Sequence, residues 1–348
     1  MPPLSRFPRL TRWLPALLAV LLPLQAAAVD WRPPQNAVLH IHFNYVPETA
    51  TELLTEAGNA DLIEIDAFSA SAELILGLKQ DGRRVLCYLN FGAWENWRPD
   101  AATFPTDLIG ARYTGWEGEY WLDIRSPERL ATVMRNRIQM ARAKGCDGID
   151  PDNLNGYQNP TGFPLTVADQ IRFNRWVAAL AHEAGMPIGL KNGEEMVADL
   201  LDDFDWATIE SCYRDKWCER FVPFVLADKA VFALEYDNPD FWLDELCPKA
   251  AELGLSAMMV NLELDGWKET CNLPLRQVEQ FFDWAELNYP GVLVHRGAST
   301  VSSQGYTYRC YPANRNCIAV RGNQAWLAER NAPALIPLGD VRTLWPRP

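Results

Sequence analysis

The sequence is poor in the residues and motifs that build metal centres and nucleotide sites. It has four histidines, and no two of its eight cysteines are spaced as CxxC, which argues against zinc. No GxGxxG or P-loop motif follows a predicted strand, so no nucleotide cofactor is expected. With 21 glycines, 25 prolines and 48% hydrophobic residues, the composition excludes collagen, coiled coil and disorder. A globular protein without a cofactor or metal is predicted.

Basic residues are also scarce. Lysine and arginine number 32 against 45 acidic residues, which gives a net charge of −13. Such a chain repels phosphate backbones, so nucleic-acid binding is not expected, and a cationic partner fits better. Solubility is the simpler explanation of the same charge.

Long apolar runs are absent after residue 28. Residues 1–28 combine Arg6, Arg9 and Arg12 with an apolar stretch, Leu14 to Leu24, and a small-residue site at Ala26 to Ala28. This pattern predicts a cleaved signal peptide, because the apolar stretch is too short to span a bilayer. The protein is therefore expected to be exported, to the periplasm or outside the cell, without a membrane anchor. Cleavage would make the net charge more negative by three.

Export favours disulfides for the cysteines. The spacings Cys212 to Cys218 and Cys310 to Cys317 predict two small closed loops, and Cys247 with Cys271 is a plausible third pair. Cys87 and Cys146 lie in apolar, strand-like runs and are interpreted as buried thiols.

From residue 30 to about 290 short β-rich runs alternate with segments of helical spacing. Eight strands are predicted: Val38–Asn44, Leu62–Ala67, Arg84–Asn90, Cys146–Asp150, Pro187–Lys191, Ala207–Ser211, Val231–Tyr236 and Ala257–Leu262. Helices are predicted over Pro127–Lys144, with Ser126 as N-cap, over Val167–Ala184 and over Pro239–Leu253. This order predicts an α/β fold, a (β/α)8 TIM barrel over 29–290, with a doubly wound sheet as the alternative. Residues 291–348, with strands Cys317–Val320 and Gln324–Leu327, are expected to form a small β-rich appendage, either a cap or a carbohydrate-binding module.

Carboxylates lie at the ends of two of the predicted strands, where barrel active sites are found. Asp150 ends the fourth strand and Asp152 lies just beyond it on the same side of the chain, while Glu210 lies near the end of the sixth. A carboxylate from each of two strands is what glycoside hydrolysis requires. Capping or ion pairing is the plain alternative, and a metal site on Asp147, Asp150 and Asp152 is a weaker one.

Other polar and aromatic residues are expected near the same strand ends and are predicted to contact substrate. Lys191 could bind a sugar hydroxyl, lower the pKa of a carboxylate or form a structural ion pair. Aromatic rings suit the apolar faces of sugars. The predicted substrate-binding residues are Asp66, Tyr88, Asn90, Trp94, Asp150, Asn153, Tyr157, Lys191, Tyr213, Glu235 and Tyr236.

Several long motifs resemble one family. The segments Val85 to Asp100, Trp121 to Arg125, Cys146 to Tyr157, Gly189 to Asn192 and Glu210 to Cys212 resemble glycoside hydrolase family 114, the secreted endo-α-1,4-polygalactosaminidases. The resemblance runs from about Trp31 to about Asp265. It implies a TIM barrel that cleaves galactosamine-containing polysaccharide, with Asp152 as nucleophile and Glu210 as general acid/base in a retaining mechanism.

Two positions depart from the family pattern. Asp150 stands where the family usually has Glu, and Ile209 where it usually has Asn, which could shift sugar preference. The main prediction is a monomeric, secreted glycosidase acting on a cationic aminosugar polymer. The alternatives are a carbohydrate-binding barrel without activity and a hydrolase for another α-galactoside or biofilm polysaccharide.

Overall fold

The protein is described by a computed structural model. The described residues are 29, 31–44, 47–236, 243–288, 293, 299–311, 316–328 and 335–345. The predicted signal peptide, residues 1–28, lies outside them, as does the start of the helix predicted at Pro239.

The strands and helices alternate along most of the chain. The strands are β1 Leu39–His42, β2 Leu62–Asp66, β3 Arg84–Asn90, β4 Ala93–Glu95, β5 Ile109–Arg112, β6 Glu119–Leu122, β7 Gly148–Asp152, β8 Gly189–Lys191, β9 Trp206–Glu210, β10 Val231–Tyr236, β11 Ser256–Val260, β12 Lys268–Thr270, β13 Ser299–Ser303, β14 Tyr306–Tyr311, β15 Asn316–Arg321, β16 Gln324–Ala328 and β17 Ile336–Asp340. The helices are α1 Ala50–Ala57, α2 Ala72–Gln80, α3 Ala131–Lys144, α4 Val167–Glu183, α5 Val197–Leu200, α6 Cys212–Asp215, α7 Val222–Leu226, α8 Leu243–Leu253, α9 Leu275–Asn288 and α10 Val341–Leu344.

Eight parallel strands form the main body, as predicted. One sheet has the order β1-β2-β3-β7, and a second has β8-β9-β10-β11, extended by the antiparallel strand β12. A parallel bridge between Ile149 and Ile188 joins the two sheets, and an antiparallel bridge between His42 and Asp265 lies at the opposite side. The chain thus has α/β architecture with the predicted strand order; a continuous ladder that closes the barrel is not formed among the described residues.

Each parallel strand separates two packed layers, because its side chains alternate between opposite faces. One face packs against the helices, for example Ile63 and Ile65 of β2. The other carries Leu39, Leu86 and Trp206, which pack together on the inner side of the sheets. Polar residues occupy the same inner face further along the strands, so their side chains gather at the carboxyl ends of the parallel strands.

Several predicted element starts differ from the structure by one or more residues, and two of the differences have a clear local cause. The segment Pro127–Leu130 is a 3₁₀ turn, Ser126 makes no side-chain cap bond there, and α3 begins only at Ala131. The strand predicted from Cys146 begins at Gly148, because the Cys146 amide still donates to the Ala141 carbonyl of α3. The strand also ends later than predicted, at Asp152 rather than Asp150. The predicted end of α3 at Gly145 is confirmed, with the glycine in the left-handed region.

Four disulfides join all eight cysteines. The predicted pairs Cys212–Cys218, Cys247–Cys271 and Cys310–Cys317 are confirmed. The interpretation of Cys87 and Cys146 as thiols is wrong, since they form a disulfide that joins β3 to the segment just before β7. These strands are neighbours in the sheet but are separated along the chain by β4, β5 and β6, so local sequence patterns do not show the pairing.

The Cys87–Cys146 disulfide is expected to matter most for stability. It closes a separation of 59 residues, whereas Cys310–Cys317 closes only 7. Loop-closure entropy then predicts a loss of about 4 kcal/mol for the C87A/C146A variant and about 2.5 kcal/mol for C310A/C317A. Urea unfolding of the oxidised proteins measures both. Equal losses would contradict the entropic origin of the difference.

The C-terminal region is a five-stranded antiparallel sheet, β13 to β17 in sequence order, and thus the predicted β-rich appendage. Its residues Tyr311, Ile318 and Val320 pack on Phe281 and Phe282 of α9. Of the helices in the described part of the chain, none has the length and apolar character needed to cross a membrane.

Candidate active site

The two predicted catalytic carboxylates lie at the carboxyl ends of β7 and β9. Asp152 ends β7 and Glu210 ends β9, on the inner face of their sheets. Each side chain is about one fifth exposed, at 23% and 22%. Both are therefore held by the fold yet open to a ligand at the strand ends.

Lys191, the last residue of β8, stands between them. Its Nζ lies 3.6 Å from Asp152 Oδ1, 3.7 Å from Glu210 Oε1 and 3.5 Å from Asp150 Oδ2. The side chain is buried, and two of the three roles predicted for it are seen: it forms the ion pairs, and it lowers the pKa of Glu210. Burial disfavours its charged form, but the three carboxylates outweigh burial and raise the pKa of Lys191 well above its usual value.

Tyrosine and asparagine side chains orient the two carboxylates. The Tyr88 hydroxyl donates to Asp152 Oδ2 at 2.9 Å, and the Tyr236 hydroxyl donates to Glu210 Oε1. Asn192 clamps Glu210 twice, because its Nδ2 donates to Oε2 at 2.8 Å while its Oδ1 accepts from the Glu210 amide at 2.9 Å. Asn192 closes the Gly189 to Asn192 motif, but it was not among the predicted substrate-binding residues.

The backbone is strained directly after all three strands. Asn153, Asn192 and Ser211 follow β7, β8 and β9, and each has φ between 53° and 61°. Non-glycine residues in the left-handed region cost free energy and cluster at functional sites. The three strained positions coincide with the strand ends that carry Asp152, Lys191 and Glu210.

The surroundings raise the pKa of one catalytic carboxyl group and lower that of the other. Burial raises the pKa of Asp152, and Lys191 offsets this only in part because Glu210 adds a like charge. Burial would also raise the pKa of Glu210, but Lys191 and the hydrogen bonds from Tyr236 and Asn192 hold it below its usual value. Of the two groups, Glu210 is thus the more stable anion and Asp152 the one that more readily holds a proton.

Several predicted substrate-binding residues are buried and already bonded within the protein. Asp150 is 0% exposed and accepts from Thr208 Oγ1 at 2.7 Å. Asp66 pairs with Arg98 at 2.6 Å, and Glu235 accepts from the Tyr213 amide at 2.6 Å. Substrate contact remains a prediction for these three acids.

A buried amide pair supports the Asp152 loop. Asn90 and Asn153 each donate to Glu119 Oε1 at 2.7 Å. Burial, with Asp152 nearby, raises the pKa of Glu119 to about 8. Glu119 lies on β6, outside the parallel sheets, and was not found by inspecting strand ends.

The aromatic residues near the site differ in accessibility. Trp94, Tyr157 and Tyr213 are half-buried and pack against the hydrophobic core, and the Trp94 indole donates to the Ala101 carbonyl at 3.0 Å. Trp97 and Trp116 are far more exposed, at 50% and 45%. Exposed rings of this kind could stack on sugar.

Two groups of potential metal ligands occur among the described residues. Cys212, Cys218 and Glu235 form one, but both cysteines are in a disulfide. His40, His42 and Glu56 form the other, on the helix-facing side of β1, where Lys268 Nζ lies 2.7 Å from His40 Nδ1 and places a cation in the cluster. The weaker metal alternative fails on Asp147, which is bound at the opposite end of β7 by Arg84 and Lys79.

Comparison with known proteins places these residues in a family. The model of glycoside hydrolase family GH114 matches residues 21–276. Ega3 from Aspergillus fumigatus, solved in complex with galactosamine, is 34% identical with a TM-score of 0.63, over 70% of this chain and 98% of that one. The glycoside hydrolase domain of PelA from Pseudomonas aeruginosa is 16% identical with a TM-score of 0.53, over 67% and 98%, and shows likeness of fold. No curated protein matches the chain.

The family match covers well over half of the chain and contains both carboxylates, Lys191 and the strands that position them. The predicted family and enzyme class are confirmed. The C-terminal sheet lies beyond the matched residues. The chain belongs to glycoside hydrolase family GH114 and is a glycoside hydrolase.

Proposed function

We propose that this protein is a secreted endo-acting hydrolase of α-1,4-linked, galactosamine-containing polysaccharide, with Asp152 and Glu210 as its catalytic pair. The observation that carries the proposal is the placement of both carboxylates around the Nζ of one buried lysine, at 3.6 and 3.7 Å. Two carboxylates flanking the scissile bond are the machinery that glycoside hydrolysis needs. The proposed fold is a closed (β/α)8 barrel.

In the proposed mechanism one carboxyl group protonates the glycosidic oxygen while the other carboxylate attacks the anomeric carbon. Two carboxylates that approach the same ammonium favour the short spacing, roughly 5–5.5 Å, that double displacement uses. Water then cleaves the glycosyl-enzyme ester, and the first group acts as base, so the product retains its α configuration.

The resemblance implies Asp152 as nucleophile and Glu210 as acid/base. The hydrogen bonds and charges around the two groups favour the opposite assignment. Glu210 receives hydrogen bonds from Tyr236 and Asn192 and is held as an anion. Asp152 accepts from one hydroxyl group, that of Tyr88, and has the raised pKa expected of a proton donor. We therefore favour Glu210 as nucleophile and Asp152 as acid/base.

An aminosugar polymer is the substrate we propose because the acidic site suits a cation. Ega3, the 34% identical relative, was solved with galactosamine. In this chain a net charge of −13 and the partly exposed Glu210 carboxylate would attract ammonium groups. Trp94, Tyr157 and Tyr213 are the proposed aromatic contacts, with Asn153, Tyr88 and Tyr236 as the proposed polar ones.

The test is hydrolysis of α-1,4-galactosamine oligosaccharides that differ only in N-acetylation. We expect internal cleavage of the deacetylated oligomer, with activity that falls as salt is raised because exposed charges are screened. Product sizing and NMR of the newly formed anomer measure cleavage position and stereochemistry. Initial β product would contradict retention, and faster hydrolysis of the fully acetylated oligomer would contradict a cationic substrate.

We propose secretion on the strength of residues 1–28 and the four disulfides. Disulfides persist in oxidising compartments, which fits export. Mass spectrometry of the protein recovered from its native host would show an N-terminus near residue 29, whereas retention of Met1 would contradict cleavage.

A further inference from the structure

A fourth carboxyl group, that of Glu64, lies beneath the catalytic centre and has no part in the proposed mechanism. Glu64 is on β2, where its register partners are Ile41 and Leu86 on the neighbouring strands. Its side chain points to the inner face and is 1% exposed. An isolated ionised carboxylate in such a place is very costly, so its charge must be neutralised or paired.

The contacts of Glu64 and Asp150 leave two buried oxygens without a conventional donor. Among the described residues no side chain or backbone group donates a hydrogen bond to Glu64 Oε2 or Asp150 Oδ2, although the two carboxyl groups lie within hydrogen-bonding reach of each other. Asp150 Oδ1 is satisfied by Thr208, and Oδ2 faces Lys191 Nζ at 3.5 Å. Two acceptor-only groups can share this contact only if one of them carries a proton.

Charge balance leads to the same conclusion. Four carboxyl groups, those of Glu64, Asp150, Asp152 and Glu210, surround Lys191, the one cation that the described part of the chain brings to this cluster. If all were ionised the centre would hold three uncompensated negative charges, two of them on fully buried groups. Like-charged carboxylates in contact do not both ionise near neutral pH.

We propose that Glu64 and Asp150 share one proton and form a positioning pair that holds Lys191 between the two catalytic carboxylates. Glu64 supplies the proton, donating it to Asp150 Oδ2. Asp150, kept anionic but hydrogen bonded by Glu64 and Thr208, anchors Lys191 from below. Because Asp150 also accepts hydrogen bonds from Glu64 and Thr208, it compensates only part of the Lys191 charge. The rest of that charge stabilises Asp152 and Glu210.

Among the described residues, Lys191 on β8 and Asp152 on β7 act on Glu64 together with Asp150, and Tyr88 on β3 is the register partner of Asp150. Glu210 on β9 contacts Lys191 in turn, and Tyr236 on β10 contacts Glu210. Burial is the main cause of a pKa of Glu64 well above its usual value, and the Asp150 charge adds to it. Lys191 acts in the opposite sense but is shared among the carboxylates.

Two measurements on the full chain test the shared proton without any substrate. Infrared difference spectra of the wild type against Glu64→Gln at neutral pH should show the carbonyl band of a protonated carboxyl group in the wild type alone. The folded state keeps a proton that the unfolded chain releases above about pH 4.3, so wild-type stability falls as pH rises. The Tm of Glu64→Gln relative to the wild type should therefore increase from pH 4 to pH 8.

A matched control is Glu95→Gln, since Glu95 is equally buried but paired with Arg98 at 2.7 Å. It should lower the Tm at pH 7 because it leaves Arg98 without this partner. If Glu64→Gln lowers the Tm as much as Glu95→Gln, or if the carbonyl band is absent, Glu64 is ionised and the proposal is overturned.

The positioning role rests on the proposed function and has its own readout. The amide of Glu64→Gln can still donate to Asp150, so kcat/KM should stay within about threefold and the pH profile should not move. Glu64→Leu removes the donor, lets Asp150 draw Lys191 away and should shift the acidic limb of the profile to higher pH. An unshifted limb in active Glu64→Leu overturns positioning. No wild-type hydrolysis, with the infrared band present, instead counts against the proposed function.

Discussion

Glu210→Gln and Asp152→Asn are each expected to lower kcat by roughly 10²–10⁴-fold while the protein stays folded. Each amide preserves the shape of the side chain but can neither attack the anomeric carbon nor transfer a proton. Polymer binding should survive, because the change leaves the strands and Lys191 in place. Reducing-end assays with circular dichroism as a folding check measure both effects.

Asp147→Asn is the matched control for Asp152→Asn, since it makes the same chemical change in the same motif. Asp147 is bound by Arg84 at 2.7 Å and by the Val85 amide at 2.9 Å, at the opposite end of β7. We expect some loss of stability but unchanged kcat. Undiminished activity in both Asp152→Asn and Glu210→Gln would refute the assigned catalytic pair.

Azide rescue with an activated α-linked substrate separates the two roles. Where the nucleophile is missing, azide attacks the substrate directly and gives a β-azide. Where the acid/base is missing, azide displaces the glycosyl-enzyme and gives an α-azide. The assignment of Glu210 as nucleophile and Asp152 as acid/base predicts a β-azide from Glu210→Ala and an α-azide from Asp152→Ala. The reverse result would restore the assignment that the resemblance implies.

Lys191→Met is expected to produce the second large effect, on stability and activity together. Removing one partner from a buried ion pair costs roughly 3–5 kcal/mol, because the remaining charge is left uncompensated. Asp150 would be that charge, since it is fully buried. Without the ammonium, Glu210 would lose the main influence that lowers its pKa, so the acidic limb of activity should move to higher pH.

Lys249→Met is the control, because Lys249 forms exposed ion pairs with Glu219 and Glu252. Exposed pairs contribute little because solvent screens them, so we expect a small change in the free energy of unfolding and an unmoved pH profile. Urea unfolding and pH-rate profiles of both variants make the comparison. A Lys191→Met protein as stable as Lys249→Met would show that the charge cluster is dispensable.

Much of the fold and part of the site could be predicted from sequence. The apolar runs and their alternation with helical segments predicted the eight parallel strands in order, because a buried strand needs a short run of apolar residues that is visible in the local sequence. Asp152, Lys191 and Glu210 were found for a related reason. Each ends or directly follows such a run, and the carboxyl ends of parallel strands lie at one edge of the sheet.

Glu64 and Glu119 were missed, and Asn192 was left out of the predicted substrate-binding residues, because their importance depends on neighbours distant in sequence. Glu64 sits inside the run Leu62–Asp66, where its spacing is that of a surface residue, yet the opposite strands bury it. Asn192 matters through Glu210, 18 residues away, and Glu119 through Asn90 and Asn153. The same reason explains the Cys87–Cys146 disulfide, whose partners meet only once β3 and β7 pair.

The sequence by itself determined the family, the order of the strands and the carboxylates at their ends. The strands follow from local hydrophobic patterning, and the family follows from several long motifs that occur in a fixed order along the chain. Only the tertiary structure decided the charge state of the site. Whether Asp152 or Glu210 holds a proton depends on burial, on the sharing of Lys191 and on which hydroxyl groups and amides reach each oxygen. Those energies are set by distances across strands, and such distances exist only in the folded chain.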